Sequence, residues 1–343
     1  MKRSNSKVAP TMVEVAKKAG VSTATVSRVV NQPGTVSAKL ERRVLSAMQK
    51  LKYHPSTLAR SFRRQRTMLI GVLIPILEHP AYSRMASSIE KQLFDRGYRA
   101  LICNSEEDES REQQYIEMLL QQRVDGIIIN SSARDSQSLM ALGENDIPIV
   151  LFDRNLQDLR CNKVFCDNSM GGFIGMEHLI KLGHRRIGVV GAPTYPEPII
   201  RRLKGIREAM TAYNHPDDPE LIVTGDSQLF DMGYHAAQQL MDLDDPPTAI
   251  FALTDVTAVG VMHAVAERGY KIPQDISVLG YDDIPIASYM IPPLTTIAQP
   301  IVEMGKVAVD LLLRQLEDED QEPQSAVLET RLVERFSTAP PHG

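Results

Sequence analysis

Residues 11–31, TMVEVAKKAGVSTATVSRVVN, decide how the front of the chain folds. Thr11 stands three residues ahead of Glu14, the spacing of a capping box, in which a hydroxyl and a carboxylate satisfy amides left free at a helix start. A first helix carrying Val15, Ala16 and Ala19 is predicted to follow, with Gly20 ending it. Ser22 can cap a second helix, on which Val26, Val29 and Val30 form an apolar stripe and Thr23, Ala24, Ser27, Arg28 and Asn31 take the other face. Two helices joined by a turn of about three residues place the second in a DNA major groove, its first turn nearest the base edges. The residues read as DNA contacts here are Thr11, Ser22, Thr23, Ala24, Thr25, Ser27, Arg28 and Asn31.

Beyond the turn at NQPG, Ser37 can cap a third helix and contact DNA, and Leu40, Val44, Ala47, Met48 and Leu51 recur at helical spacing, enough for a small three-helix core. Residues 55–66, PSTLARSFRRQR, could form one helix of about eight residues, too short to persist alone in water. Leu58 and Phe62 sit four apart, Ala59 is small enough for close helix approach, and Arg60, Arg63, Arg64 and Arg66 surround them. Apolar side chains among arginines suit minor-groove insertion at Leu58, Ala59, Arg60, Phe62 and Arg63. A charged interdomain linker is the plainer reading of the same segment.

Charge separates this head from the rest. The chain has a net charge of −5, yet residues 1–66 carry +13 and the remainder −18. A cationic head on an acidic body is the distribution of a nucleic-acid reader. With 343 residues and 43% hydrophobic content, the body is large enough to bury a core of its own. No apolar run approaches the length of a membrane span and no secretory signal opens the sequence, so the protein is expected in the cytoplasm, on the nucleoid. The cysteines Cys103, Cys161 and Cys166 form no CxxC pair and read as free thiols, and the scattered histidines give no metal spacing. No cofactor is expected.

The body alternates strand and helix patterns. LIGVLI (69–74), RALIC (99–103), GIIIN (126–130) and IPIVLF (147–152) are short apolar runs separated by helical stretches, and the alternation restarts with RIGVVG (186–191), LIVTG (221–225), AIFAL (249–253) and ISVLG (276–280). Two open α/β lobes with parallel sheets follow, and ligands of such sheets collect beyond the carboxyl ends of the strands. The polar residues there are Asp153, Thr254, Asp255 and Asp282.

The run TMVEVAKKAGVSTATVSRVVNQPGTVS, followed by YHPSTLARSFR, resembles the DNA-binding head and hinge of the lactose repressor (LacI/GalR) family of bacterial transcription regulators. The resemblance continues through VDGIII, GHRRIGVVG, RRLKGI, PPTAIFALTD, SVLGYDDIP and PPLTTIAQP, nearly the whole chain. It departs at Phe62, where the family usually has Leu. The resemblance implies a helix-turn-helix domain (1–54), a hinge helix (55–66) and a two-lobed periplasmic-binding-protein-like body (67–340). It implies crossings between lobes near 160, 290 and 320: lobe 1 about 67–160 and 293–320, lobe 2 about 161–290 and 321–340. It also implies that Ala81 and Tyr82 line the cleft, that Arg202 reaches in from the second lobe and that Gln299 lies at a crossing.

Carboxylates with an arginine and an amide can accept and donate to vicinal hydroxyls, and Tyr82 can stack on a sugar ring. Asp153, Arg202, Thr254, Asp282 and Gln299, with Ala81 and Tyr82, therefore read as a site for a small sugar-like effector. Purine-binding members tend to carry a second arginine just ahead of the RLxG motif. TYPEPII (194–200) has none, which favours a sugar over the alternative, a purine- or nucleoside-responsive regulator. The expected function is repression of a carbohydrate-utilisation operon by a homodimer on a palindromic operator, with the effector acting through its differential affinity for two lobe arrangements. No leucine heptad follows the acidic segment LEDEDQEPQ, so a dimer is expected rather than a coiled-coil tetramer. A DNA-tethered sugar-acting enzyme is the rival from another class. The adjacent acids Asp282 and Asp283 are its best support, and GxxxxGK[ST], GxGxxG and GxSxG are all absent. A sugar-binding transport component would need an export signal and would have no use for the basic head.

Overall fold

The computed structural model describes residues 10–31, 34–53, 66–131, 139, 147–156, 159–191, 197–225, 229–318 and 320–342. Leu58, Ala59, Arg60, Phe62 and Arg63, and with them the expected hinge helix, lie outside the described residues. The chain divides into two compact units, Met1–Met68 and Leu69–Gly343.

The first unit holds α1 (Met12–Ala19), α2 (Thr23–Asn31) and α3 (Ala38–Leu51). Its core is Val15, Ala16, Ala19, Val26, Val29, Val44 and Ala47, with Met48 and Leu51 packed alongside. Those are the stripes read from the sequence. Gly20 ends α1 at φ 62°, a left-handed conformation that glycine adopts without steric cost. A side chain there would also strike Arg43, whose Nη2 donates to the Ala19 carbonyl at 2.7 Å.

The second unit has two six-stranded sheets. Lobe 1 contains β1 (Leu69–Ile74), β2 (Arg99–Asn104), β3 (Gly126–Ile129), β4 (Ile149–Phe152), β5 (Asn162–Cys166) and β11 (Ser325–Leu328), in the order β11-β5-β4-β3-β1-β2. Lobe 2 contains β6 (Ile187–Gly191), β7 (Ile222–Thr224), β8 (Ala249–Ala252), β9 (Ser277–Asp282), β10 (Thr295–Ala298) and β12 (Arg331–Val333), in the order β12-β10-β9-β8-β6-β7. Every pairing is parallel except β10 with β12. The fully buried strands β3, β4, β6 and β8 carry unbroken apolar runs because helices cover both faces. The helices are α4 (Pro80–Asp95), α5 (Glu109–Gln121) and α10 (Ile301–Glu317) in lobe 1, and α6 (Asn168–Lys181), α7 (Glu197–Ala212), α8 (Phe230–Met241) and α9 (Asp255–Glu267) in lobe 2.

The chain changes lobe later than the sequence reading placed it. β5, at 162–166, pairs with β4 and stays in lobe 1, so the first crossing is at 167, not near 160. β10 pairs with β9 in lobe 2 and α10 packs on α4, which moves the second crossing from near 290 to 299–300. β11 pairs with β5 in lobe 1 and β12 with β10 in lobe 2, so the third is at 329–330 instead of 320. Each crossing waits until a strand has completed its ladder. β5, β10 and β11 therefore belong to the lobe opposite the one that the expected boundaries gave them.

Candidate functional site

In the first unit, the Thr11 backbone amide donates to Glu14 Oε2 at 2.6 Å and Thr11 Oγ1 accepts from the Glu14 amide at 3.4 Å. The Thr11 amide, and the Thr11 hydroxyl that donates to Glu14 Oε2 at 3.0 Å, hold the Glu14 carboxyl below its ordinary value. Ser22 Oγ accepts from the Thr25 amide at 3.1 Å, and the two hydroxyls are 3.0 Å apart, so both residues serve the start of α2. Thr23, Ala24 and Arg28 are exposed on that helix, and Asn31 is its last residue. Ser27 corrects the sequence reading: it is only 7% exposed. A residue directly after Val26 lies at the flank of the apolar stripe, and the neighbouring helices cover that flank. Ser37 stands at the start of α3 and is exposed, but its carbonyl, not its hydroxyl, accepts from Leu40 and Glu41.

The second unit holds a cleft of about 560 Å³, part of it open to solvent. All seven residues read from the sequence line it: Ala81, Tyr82, Asp153, Arg202, Thr254, Asp282 and Gln299. The order of elements explains the convergence. Asp153 follows β4, Thr254 follows β8, Asp282 ends β9 and Gln299 follows β10, so the carboxyl ends of strands from both sheets open into one space. Asp255 is the exception among the strand-end carboxylates. Its Oδ1 accepts from Thr296 Oγ1 at 2.6 Å and its Oδ2 from the Ile284 amide at 2.8 Å, away from the cleft. Thr254 both lines the cleft and caps α9 through the Thr257 amide at 3.1 Å.

Asp153 (φ 56°) and Asp282 (φ 118°) both hold the left-handed region, a cost of roughly 1–3 kcal/mol each that persists where surrounding structure imposes it. Asp282 Oδ1 accepts from Gln299 Nε2 at 2.6 Å and lies 3.4 Å from Arg202 Nη2. Three buried acceptors, Asp153 Oδ1, Asp282 Oδ2 and Gln299 Oε1, have no hydrogen-bond partner among the described residues, and neither does the donor Asn130 Nδ2. Such groups are costly to bury unless something hydrogen-bonds them. Burial pushes the Asp153 carboxyl up to about 7 against the opposing pull of Arg202. It pushes Asp282 up to about 6, with Arg202 and Gln299 holding it down. His79, 4.9 Å from the Tyr82 ring, is driven down to about 4 by burial and by Arg202, and is neutral at pH 7.

The sequence reading missed Asn130, Ser131, Arg154, His79 and Glu107 in the lining. Asn130 and Ser131 follow β3 and could have been found by the strand-end rule already applied to Asp153. Arg154 is a second guanidinium, and it donates to the Ser131 carbonyl. It enters after β4, not from the segment ahead of α7, where a second arginine would mark a purine site. His79 and Glu107 had no pattern to mark them. Among the described residues no group of His, Cys, Asp or Glu could hold a metal ion, and no helix is long and apolar enough to cross a membrane. All three cysteines are buried free thiols, and burial pushes Cys103 and Cys161 up to about 11.

Two family models match the chain: bacterial regulatory proteins of the lacI family over residues 11–56, and a periplasmic binding protein-like domain over 176–338. The ribose operon repressor of Escherichia coli (strain K12) is 39% identical over 331 residues, covering 95% of this chain and 99% of the repressor. The chain belongs to the lacI family of bacterial regulatory proteins. Another relative, the HTH-type transcriptional repressor PurR of Aliivibrio salmonicida, is 33% identical over 95% of this chain and 98% of its own length. Among solved structures, the lac repressor dimer bound to operator and the anti-inducer ONPF matches 97% of this chain at 32% identity, with a TM-score of 0.87. A LacI family transcriptional regulator from Enterococcus faecium with bound ribose matches 79% of it at 33% identity, with a TM-score of 0.73. As a lacI-family member this chain is a DNA-binding transcription regulator with a helix-turn-helix head and a two-lobed α/β body, and it is not an enzyme.

Proposed function

We propose that the protein represses a carbohydrate-utilisation operon and that a neutral pentose such as ribose, held between the lobes, releases it from a palindromic operator. One observation carries the effector class: Asp153 Oδ1, Asp282 Oδ2 and Gln299 Oε1, buried and without partners among the described residues, enter one cleft from strand ends and a crossing. A polyol donates one hydroxyl proton to each, and Arg202 and Asn130 supply donors for its oxygens. Hypoxanthine, with about two N–H donors, cannot satisfy all three acceptors. The ribose operon repressor among the relatives and the ribose-bound neighbour support the same reading. No cofactor takes part. The lac repressor dimer on its operator supports a homodimer, whose two heads match an inverted repeat.

A thermal-shift and calorimetric comparison of D-ribose with hypoxanthine and guanine tests the effector. Ribose is expected to raise the melting temperature, and Asp282→Asn to abolish the effect. Stabilisation by a purine but by no pentose would reverse the assignment. Footprinting should show an inverted repeat protected without ribose and exposed with it.

A further inference from the structure

Arg202 is buried to 3% exposure, and its guanidinium lies 3.6 Å from the centroid of the Tyr281 ring. Its Nε donates to Asn168 Oδ1 at 2.9 Å, its Nη1 to the Leu253 carbonyl at 2.5 Å, and its Nη2 lies 3.4 Å from Asp282 Oδ1. Asn168 is itself 1% exposed and is not part of the cleft lining. The same Oδ1 accepts from the Tyr281 hydroxyl at 3.1 Å. One oxygen thus fixes both the guanidinium and the ring stacked against it. Asn168 Nδ2 lies 3.4 Å from the Cys166 carbonyl, which sets the amide so that the oxygen, not the NH2 group, faces Arg202.

The backbone brings these groups together. Asn168 begins α6 just after the first crossing, and α6 lies against α7 with no room for side chains at the contact. A Cβ on Gly172 would stand 2.1 Å from the Arg202 carbonyl oxygen, and one on Gly205 would stand 1.8 Å from that of Ser169. Close glycine packing therefore seats Asn168 beside Arg202. Without the Asn168 oxygen, the Arg202 Nε–H is buried with no acceptor, and the guanidinium is free to turn toward the carboxylates that the ligand needs.

We propose that Asn168 is a positioning residue for the effector site, holding the Arg202 guanidinium in the orientation that meets the ligand; this rests on the reading of the cleft as a polyol site. The test uses the full-length protein and three variants. Asn168→Asp keeps an acceptor at Oδ1, Asn168→Leu keeps the volume without it, and Arg202→Lys identifies the Arg202 signal. D-ribose affinity is measured by calorimetry, and the Arg202 Nε–H resonance by nitrogen-edited NMR. Asn168→Leu is expected to weaken ribose binding about tenfold or more, the cost of leaving one buried charged donor unpaired. Asn168→Asp should stay within about threefold of the parent, and operator affinity without ribose should be unchanged in both. The slowly exchanging Nε–H signal should survive in Asn168→Asp and vanish in Asn168→Leu. If Asn168→Leu does not fold, Asn168→Ala takes its place.

Full ribose affinity in the variant lacking the acceptor, or equal losses in Asn168→Asp and Asn168→Leu, would overturn the proposal while leaving the polyol reading intact. If the parent binds no pentose, the polyol reading fails. The Nε–H signal then decides the positioning alone, its persistence in Asn168→Leu counting against it.

Discussion

Arg28 and Asp153 show what single residues carry. Arg28 is exposed on the helix that the family lays in the major groove. Arg28→Ala is expected to weaken operator binding by about 1–3 kcal/mol and binding to random DNA by much less. Parallel titrations check this, equal losses marking a phosphate contact. Asp153 couples the cleft to pH. Its folded value near 7 lies above the ordinary carboxylate value of 3.8 through burial, with Arg202 and Arg154 opposing and Asp282 and Glu197 adding to the rise. The folded protein holds this proton more tightly than the unfolded one, so the associated stability is present below about pH 4 and is lost as pH rises through 7. Asp153→Asn should flatten the decline in melting temperature between pH 5 and 7.5. A ligand that donates hydroxyls to Asp153 favours its ionised form, so ribose affinity should rise with pH over the same window. Calorimetry in buffers of different ionisation enthalpy should then report proton release. Both carboxylates were legible as strand-end residues. Their left-handed backbone and their missing partners were not, because these arise from segments distant in sequence.

Among the elements, α1 and the α6–α7 pair differ in how far local sequence specifies them. α1 is set by its own residues: the cap at Thr11, the left-handed stop at Gly20 and the apolar spacing between. Thr11→Ala should cost about 1 kcal/mol of head-domain stability, read by urea unfolding, without changing the body. α2 was legible in its extent and stripe but not in the burial of Ser27, since helix periodicity says which positions face inward and not how wide a flank the neighbours cover. α6 and α7 are set by tertiary approach. Gly172→Ala places a methyl group against rigid backbone and is expected to destabilise the body by about 1–3 kcal/mol, with ribose affinity falling as Arg202 is displaced. A Gly172→Ala protein of unchanged melting temperature and affinity would show that the helices separate at little cost.

For the whole molecule, the +13 of residues 1–66 set against the −18 behind them places the attraction for DNA in the head. Operator affinity should fall by about 10³-fold or more between 50 and 200 mM salt if six or more phosphates are neutralised. Ribose affinity should scarcely change over the same range. Ribose at about a hundred times its dissociation constant should stabilise the body by about 2.7 kcal/mol and leave the Thr11→Ala deficit of the head in place. Local sequence determined the helix-turn-helix, the α/β alternation of the body and, among the side chains that meet in the cleft, Asp153, Thr254 and Asp282, while Ala81, Tyr82, Arg202 and Gln299 came from the family resemblance. Capping, helical spacing and the ends of apolar runs are local properties, and residues near one another in the chain state them. Tertiary structure alone decided which lobe owns β5, β10 and β11, that Asp255 is spent on Thr296 and Ile284, and that Asn168 holds Arg202. Those facts depend on ladders and hydrogen bonds between residues 12 to 162 positions apart, and no local pattern encodes which of several chemically adequate partners a buried group will meet.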